Sequence, residues 1–130
     1  MAQPWTMTAS DGGLPRFGAG KPHPRSYGTF PRKIRKYVLE EGVVGFAEAI
    51  RGMTSLPATA FRIRDRGAVR FGAYADIVVF DLEHLTDRAT YTDPHQYSEG
   101  VVHVLVNGRI AVRDGELTGR NAGEVLHRGR

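Results

Sequence analysis

The hydrophobic pattern changes period about midway along the chain. In the first half, Ile34, Tyr37 and Val38 fall at i, i+3 and i+4, the spacing of one helix face. Thr29 is the predicted N-cap of that helix, Pro31 sits at an early helical position, and Gly42 supplies the stop. Phe46, Ala49, Ile50 and Met53 repeat the spacing and predict a second helix over residues 45–53. Thr54-Ser55-Leu56-Pro57 caps a short third helix that runs to Phe61. In the second half, Ala75-Asp76-Ile77-Val78-Val79-Phe80-Asp81 is an apolar run bounded by acids, the pattern of a buried strand. Residues 101–106 are rich in β-branched side chains, Asn107-Gly108 is a strong hairpin signal, and residues 109–113 return as the partner strand. Asp114-Gly115 turns the chain again.

The intervening segments are less regular. Residues 5–9 are predicted to form a short strand. Residues 12–28 hold five Gly and three Pro, with Arg16, Lys21, His23 and Arg25, and read as a long cationic loop. The first helix carries an adverse charge order, with Arg32 and Lys33 at its start and Glu40 and Glu41 at its end; a Lys36–Glu40 pair offsets a little of this. Residues 63–74 are basic, Gly-punctuated and expected to wind over the surface. Residues 82–99 read as a loop, and the polar tail, 118–130, is expected to hold one helical turn around Glu124-Val125-Leu126. The sum is an α+β pattern whose few strands would leave a thin sheet with exposed edges.

Composition narrows the function classes. At 130 residues with 41% hydrophobic and 25% charged residues, the chain is globular in class and long enough for one core. A net charge of +4 without a dense basic stripe or a reading motif argues against nucleic acid as a partner. No cysteine is present, which removes disulfides, thiolate metal sites and a Cys nucleophile. Residues 1–5 lack the basic and apolar regions of a signal peptide, and no apolar run reaches membrane-spanning length. A cytoplasmic protein is the expectation.

The candidate chemistry begins at Ser10-Asp11-Gly12-Gly13, a carboxylate at the end of a predicted strand. By itself Asp-Gly-Gly is more often a plain turn. It is followed, however, by His23-Pro24-Arg25-Ser26-Tyr27-Gly28-Thr29-Phe30-Pro31-Arg32, Met53-Thr54-Ser55-Leu56-Pro57-Ala58, Gly72-Ala73-Tyr74-Ala75-Asp76-Ile77-Val78-Val79-Phe80-Asp81, the segment from Asp87 to Tyr97, and Val106-Asn107-Gly108. In this order the motifs resemble the C-terminal region of N-acyl-D-amino-acid deacylases (D-aminoacylases) of the amidohydrolase superfamily. The Ala-Asp-Ile-Val-Val-Phe-Asp and Val-Asn-Gly elements are shared across the superfamily, whereas the His-Pro-Arg-Ser-Tyr-Gly-Thr-Phe-Pro block narrows the resemblance to D-aminoacylases.

That resemblance implies an α+β fragment: the last strand and helices of a metal-dependent (β/α)8 barrel over residues 1–62, part of a small β-sandwich over 63–118, and a tail over 119–130. It implies zinc as the cofactor of the complete enzyme and an N-acyl-D-amino acid as substrate. Asp11, at the C-terminal end of the last barrel strand, would be the proton shuttle of amide hydrolysis. His23 and Arg25 have two readings. Either they lie over the site, with Arg25 offering a fork of donors to a substrate carboxylate, or they anchor the loop to backbone carbonyls. Tyr27 is expected to pack.

Metal ligands are where the chain departs from the superfamily. None of His23, His84, His95, His103 and His127 forms the His-x-His pair that places two rings on one side of a strand. His103 is expected to pack in its strand, and His95 to serve a turn. The chain alone therefore has no complete metal site and is expected to be inactive, either forming a homo-oligomer or joining a partner chain that carries the rest of the barrel. The alternative is a degenerate fragment kept as a non-catalytic subunit or interaction module.

Overall fold

A computed structural model describes residues 1–127; the last three residues of the expected tail lie outside the described residues. The helical half holds α1 (Arg25–Arg32), a π-helix (Lys33–Glu40), α2 (Phe46–Met53) and α3 (Ser55–Ala60). The second half holds β1 (Ile77–Phe80), β2 (Val101–Val106), β3 (Arg109–Arg113) and β4 (Glu116–Leu117), an antiparallel meander in the order β1-β2-β3-β4. Asn107 and Gly108 both take positive φ (51° and 75°), the geometry of the two-residue turn that joins β2 to β3.

Several expectations are corrected. The predicted strand at 5–9 does not form. A strand is a property of a pair, and the backbone there finds only Thr8 N–H donating to the Gly52 carbonyl (2.9 Å) and Thr6 N–H to Gln3 (3.0 Å). The tail turn at 124–126 is not helical either; its Glu124 instead reaches Arg66 (2.7 Å). The run at 75–81 is not buried on both faces, since Val78 and Val79 remain 54% and 44% exposed on a sheet with no second layer among the described residues.

The first helix starts four residues earlier than its predicted N-cap. Thr29 lies inside α1, where its hydroxyl donates back to the Arg25 carbonyl (2.9 Å). Pro31 therefore also falls within the helix. It can offer no N–H to the carbonyl of Tyr27 four residues back, and the Ser98 hydroxyl donates to that carbonyl instead (3.2 Å). Beyond Pro31 the coil widens to i→i−5 bonding, as in Glu41 N–H to the Lys36 carbonyl (2.9 Å). The wider turn changes which residues share a face: Ile34 is buried, but Tyr37 and Val38 are only half-buried. It also moves the ion pair from Lys36–Glu40 to Lys36–Glu41 (3.6 Å). Because the π-helix continues directly from α1, Arg32 lies midway along one helical stretch and at neither end of its dipole.

Lys33 is buried (6% exposed), with its ammonium donating to the Thr8 hydroxyl. Burial without a carboxylate pushes its pKa down. The fold thus makes the ammonium easier to deprotonate than in a free lysine. Stability rises as pH climbs through the lowered folded value toward the ordinary lysine value of 10.5, and that gain is absent at neutral pH. Lys33→Met is expected to stabilise the chain by about 1–2 kcal/mol at pH 7 by removing a buried cation with one neutral partner. Urea denaturation checks this, and a lower midpoint in the variant would contradict it.

The core itself is small: Ile34, Val44, Ala49, Ala58, Leu85 and Ala89. Two of these, Leu85 and Ala89, come from the connection between β1 and β2, which was expected to be a plain loop. That connection is a strap across the helical half. Arg35 donates from Nε to the Leu85 carbonyl (2.9 Å) and from Nη2 to Glu83, Arg32 pairs with Asp87 (3.0 Å), and Ser98 meets Tyr27. No helix is long and apolar enough to cross a membrane among the described residues.

Candidate functional site

The region around Asp11 is organised by the first turn of α1. Arg25 grips Asp11 twice, with Nη2 on the carboxylate (2.9 Å) and Nε donating to the backbone carbonyl (2.9 Å). The Ser10 hydroxyl donates to the Arg25 carbonyl (3.0 Å) and accepts from Gly12 N–H (3.1 Å), so residues 10–12 lie flat against the helix start. Gly12 is what permits this: a Cβ there would fall 2.7 Å from the Ser26 Cα. The Asp11 side chain nevertheless stays 90% exposed. It is a held carboxylate with an open face.

His23 and Arg25 come together, but each is already engaged. His23 Nδ1 accepts from the Arg25 backbone N–H (3.0 Å), which leaves the neutral ring its proton on Nε2, facing the Tyr91 hydroxyl (3.2 Å). Beside them is a cavity of about 440 Å³ lined by His23, Arg25, Arg32, Tyr37, Asp87 and Tyr91. Arg25 and Arg32 are seven residues apart and share a helix face. Asp87 is the half-buried anchor of this wall. It holds the Arg32 pKa above the ordinary guanidinium value through its hydrogen bond, and it packs so closely on Gly28 that a Cβ there would lie 2.6 Å from its own. A larger cavity of about 550 Å³, against α3 and lined by Arg62, Arg64 and Arg70, contains none of Asp11, His23 and Arg25.

Tyr91, Arg32 and Asp87 were not among the sequence candidates. The motif block that contains Asp87 and Tyr91 was the available signal, but nothing in it says which wall it faces. Tyr27 packs in an aromatic cluster with Phe17, His95 and Tyr97. Its hydroxyl also bonds His95 Nδ1 (2.9 Å). His103 accepts from Asp114 N–H (3.2 Å). His84 sits at the surface on Asp81 (2.8 Å), whose hydrogen bond raises the His84 pKa while the same contact lowers that of Asp81.

A family model described as the amidohydrolase family matches residues 1–112. The chain belongs to the amidohydrolase family. This amidohydrolase chain is 46% identical over 102 residues to the N-acyl-D-glutamate deacylase of Alcaligenes xylosoxydans xylosoxydans, covering 78% of the chain and 20% of that protein. It is 44% identical over 126 residues to the N-acyl-D-aspartate deacylase of the same organism, covering 96% and 24%. Among solved structures it resembles a D-aminoacylase (TM-score 0.80, 42% identity, 83% of this chain and 23% of that one). It also resembles the N-acyl-D-glutamate deacylase of Bordetella bronchiseptica in complex with zinc and a phosphonate mimic of the tetrahedral intermediate (TM-score 0.78, 40% identity, 88% and 24%). The amidohydrolase chain thus spans a quarter or less of the length of these relatives.

The zinc of the Bordetella structure prompts a test of fit. Among the described residues no three His, Cys, Asp or Glu side chains come together as a metal site. His23, His84, His95 and His103 are each tied to other partners. The described residues do not fit a zinc centre by themselves.

Proposed function

We propose that this chain is the C-terminal part of an N-acyl-D-amino-acid deacylase in which Asp11 moves the reacting proton. The observation that carries the reading is the Asp11 carboxylate, held by Arg25 and open to solvent, in a chain whose likeness to an N-acyl-D-aspartate deacylase runs along 96% of its length. Amide hydrolysis needs a base for the attacking water and an acid for the leaving nitrogen. One carboxylate serves both: it takes a proton from water as oxygen attacks the carbonyl carbon, then gives that proton to nitrogen as the C–N bond breaks. The products are a carboxylic acid and a free D-amino acid. Arg25 keeps Asp11 aimed, and its remaining Nη1 can meet a substrate carboxylate; His23 lies along the adjoining cavity wall.

In this reading residues 1–62 complete a (β/α)8 barrel, residues 63–118 form part of a small β-sandwich and residues 119–130 are its tail. Support comes from the open backbone of residues 5–10, from Trp5 and Met7 at 71% and 40% exposure, and from the uncovered face of the sheet. The metal of the complete enzyme is held by residues outside this chain, so the chain alone is inactive and seeks a covering partner.

The test is a hybrid in which residues 1–127 replace the matching quarter of the Alcaligenes N-acyl-D-aspartate deacylase. The hybrid is expected to hydrolyse N-acetyl-D-amino acids, and the isolated chain with added zinc is not. A folded, zinc-loaded hybrid without activity on any N-acyl-D-amino acid would overturn the proposal. It would favour the second reading, a non-catalytic module, for which the missing metal group among the described residues is the motivating observation.

A further inference from the structure

The loop from Asp11 to His23 and Arg25 is tied down far from its own ends. Gly18 N–H donates to His95 Nδ1 (3.2 Å), and His95 Nε2 lies 3.0 Å from the Gly20 carbonyl. Among the described residues these are the only hydrogen bonds from residues 14–21 to the rest of the protein; Ala19 N–H to Arg16 is internal to the loop. Both contacts have one sense. A backbone amide can only donate, so Nδ1 is bare; a carbonyl can only accept, so Nε2 carries the hydrogen. The Tyr27 hydroxyl, 2.9 Å from Nδ1, then donates as well. Phe17, next to Gly18, stacks on Tyr97 (centroids 5.0 Å, 22°) and meets the His95 ring edge-on (5.6 Å). Gly18 and Gly20 take φ of +79° and +67°, which lets one turn present an N–H and a C=O to the same imidazole.

We propose that His95 is a latch: its neutral imidazole, hydrogen-bearing at Nε2, closes the loop between Asp11 and Arg25 onto α1. His95 comes from the strap between β1 and β2, so the latch joins three segments that are distant in sequence. Its role as a positioning residue for Asp11 rests on the reading of Asp11 given above; the latch itself does not. The Gly18 N–H cannot turn to accept, so it depends on a bare Nδ1, whereas the Tyr27 hydroxyl can rotate. From α1 the ring faces the Tyr27 hydroxyl, from its own segment Tyr97, and from the loop only Phe17 and backbone. Asp81 and Asp114 serve His84 and His103 instead, and no carboxylate pairs with His95 among the described residues.

Hydrogen exchange on the full chain tests this without any activity measurement. Gly18 amide protection is expected to fall about tenfold in His95→Ala, the worth of one hydrogen bond, while amides of β2 and β3 keep theirs. His95→Asn retains an acceptor near the Nδ1 position, so it keeps part of the Gly18 protection. Trypsin cleavage at Arg16–Phe17 accelerates in the Ala variant, because Phe17 leaves its stack. Unchanged Gly18 protection in His95→Ala overturns the latch. So does loss of protection throughout α1 and the sheet, which makes His95 a general packing residue, and so does a loss in His95→Asn as large as in His95→Ala.

Discussion

Asp11→Asn in the hybrid deacylase is expected to lower kcat by about 10²–10⁴, with KM nearly unchanged, the range for losing a general acid–base group. Asn keeps the shape of the side chain and an oxygen that can still accept from Arg25 Nη2, now 2.9 Å from the carboxylate. It cannot take up a proton from water. The variant therefore separates proton transfer from placement. Arg25→Gln probes the other half. It removes the grip on both the carboxylate and the carbonyl of a side chain that is 90% exposed, leaving Asp11 chemically intact and free to swing. A smaller loss in kcat is expected there, together with a rise in KM if Nη1 meets the substrate. Steady-state kinetics on N-acetyl-D-amino acids give both numbers. A loss below tenfold for Asp11→Asn would mean that another group moves the proton.

What could be read in the sequence was local. The helix at 46–53 and the β2–β3 hairpin announced themselves because their signals lie within a few residues: apolar spacing for the first, Asn107-Gly108 for the second. The strand at 5–9 was misread because no strand pairs with it among the described residues, and propensity cannot supply one. The start of α1 was missed because Pro24 precedes it without any side-chain cap, while Thr29 looked like one. Arg25 was left between two readings, and its double contact with Asp11 is a tertiary fact that spacing does not encode. The strap is the clearest case. Arg35 to Leu85, Arg32 to Asp87 and Tyr27 to His95 are single contacts across 50 to 68 residues. They lie in a stretch with no periodicity, so the sequence reads as loop although the segment carries two core residues.

The same limit hid Arg66, which lies in a basic run expected to wind over the surface. Its side chain is instead only 9% exposed and is a hub. It bonds Asp76, donates to the Asn107 side chain (2.6 Å) and to Glu124 (2.7 Å), and lies 4.1 Å over the Tyr74 ring. One guanidinium thereby ties the entry to β1, the β2–β3 turn and the C-terminal tail. Arg66→Ala is expected to destabilise the chain by about 2–4 kcal/mol, around the lower part of the range for breaking a buried pair, because Asp76 and Glu124 keep some access to water. Arg66→Lys is expected to recover little, since an ammonium has no planar fork to reach three acceptors from its edges while its face covers an aromatic ring. The acid limb supplies a second readout. Burial alone would raise the Asp76 pKa, but the Asn107 N–H (2.8 Å) and Arg66 outweigh it, and the net value lies below the ordinary 3.8. The stabilisation is complete above that ordinary value and drains as pH falls through the lower folded one. Removing Arg66 takes away its hydrogen bond and its charge but leaves the Asn107 N–H. The variant should therefore lose less stability between pH 5 and pH 2 than the native chain does, from a lower starting point. Urea midpoints measured across that interval decide it: parallel pH profiles for the two proteins would show that Arg66 and Asp76 are not coupled.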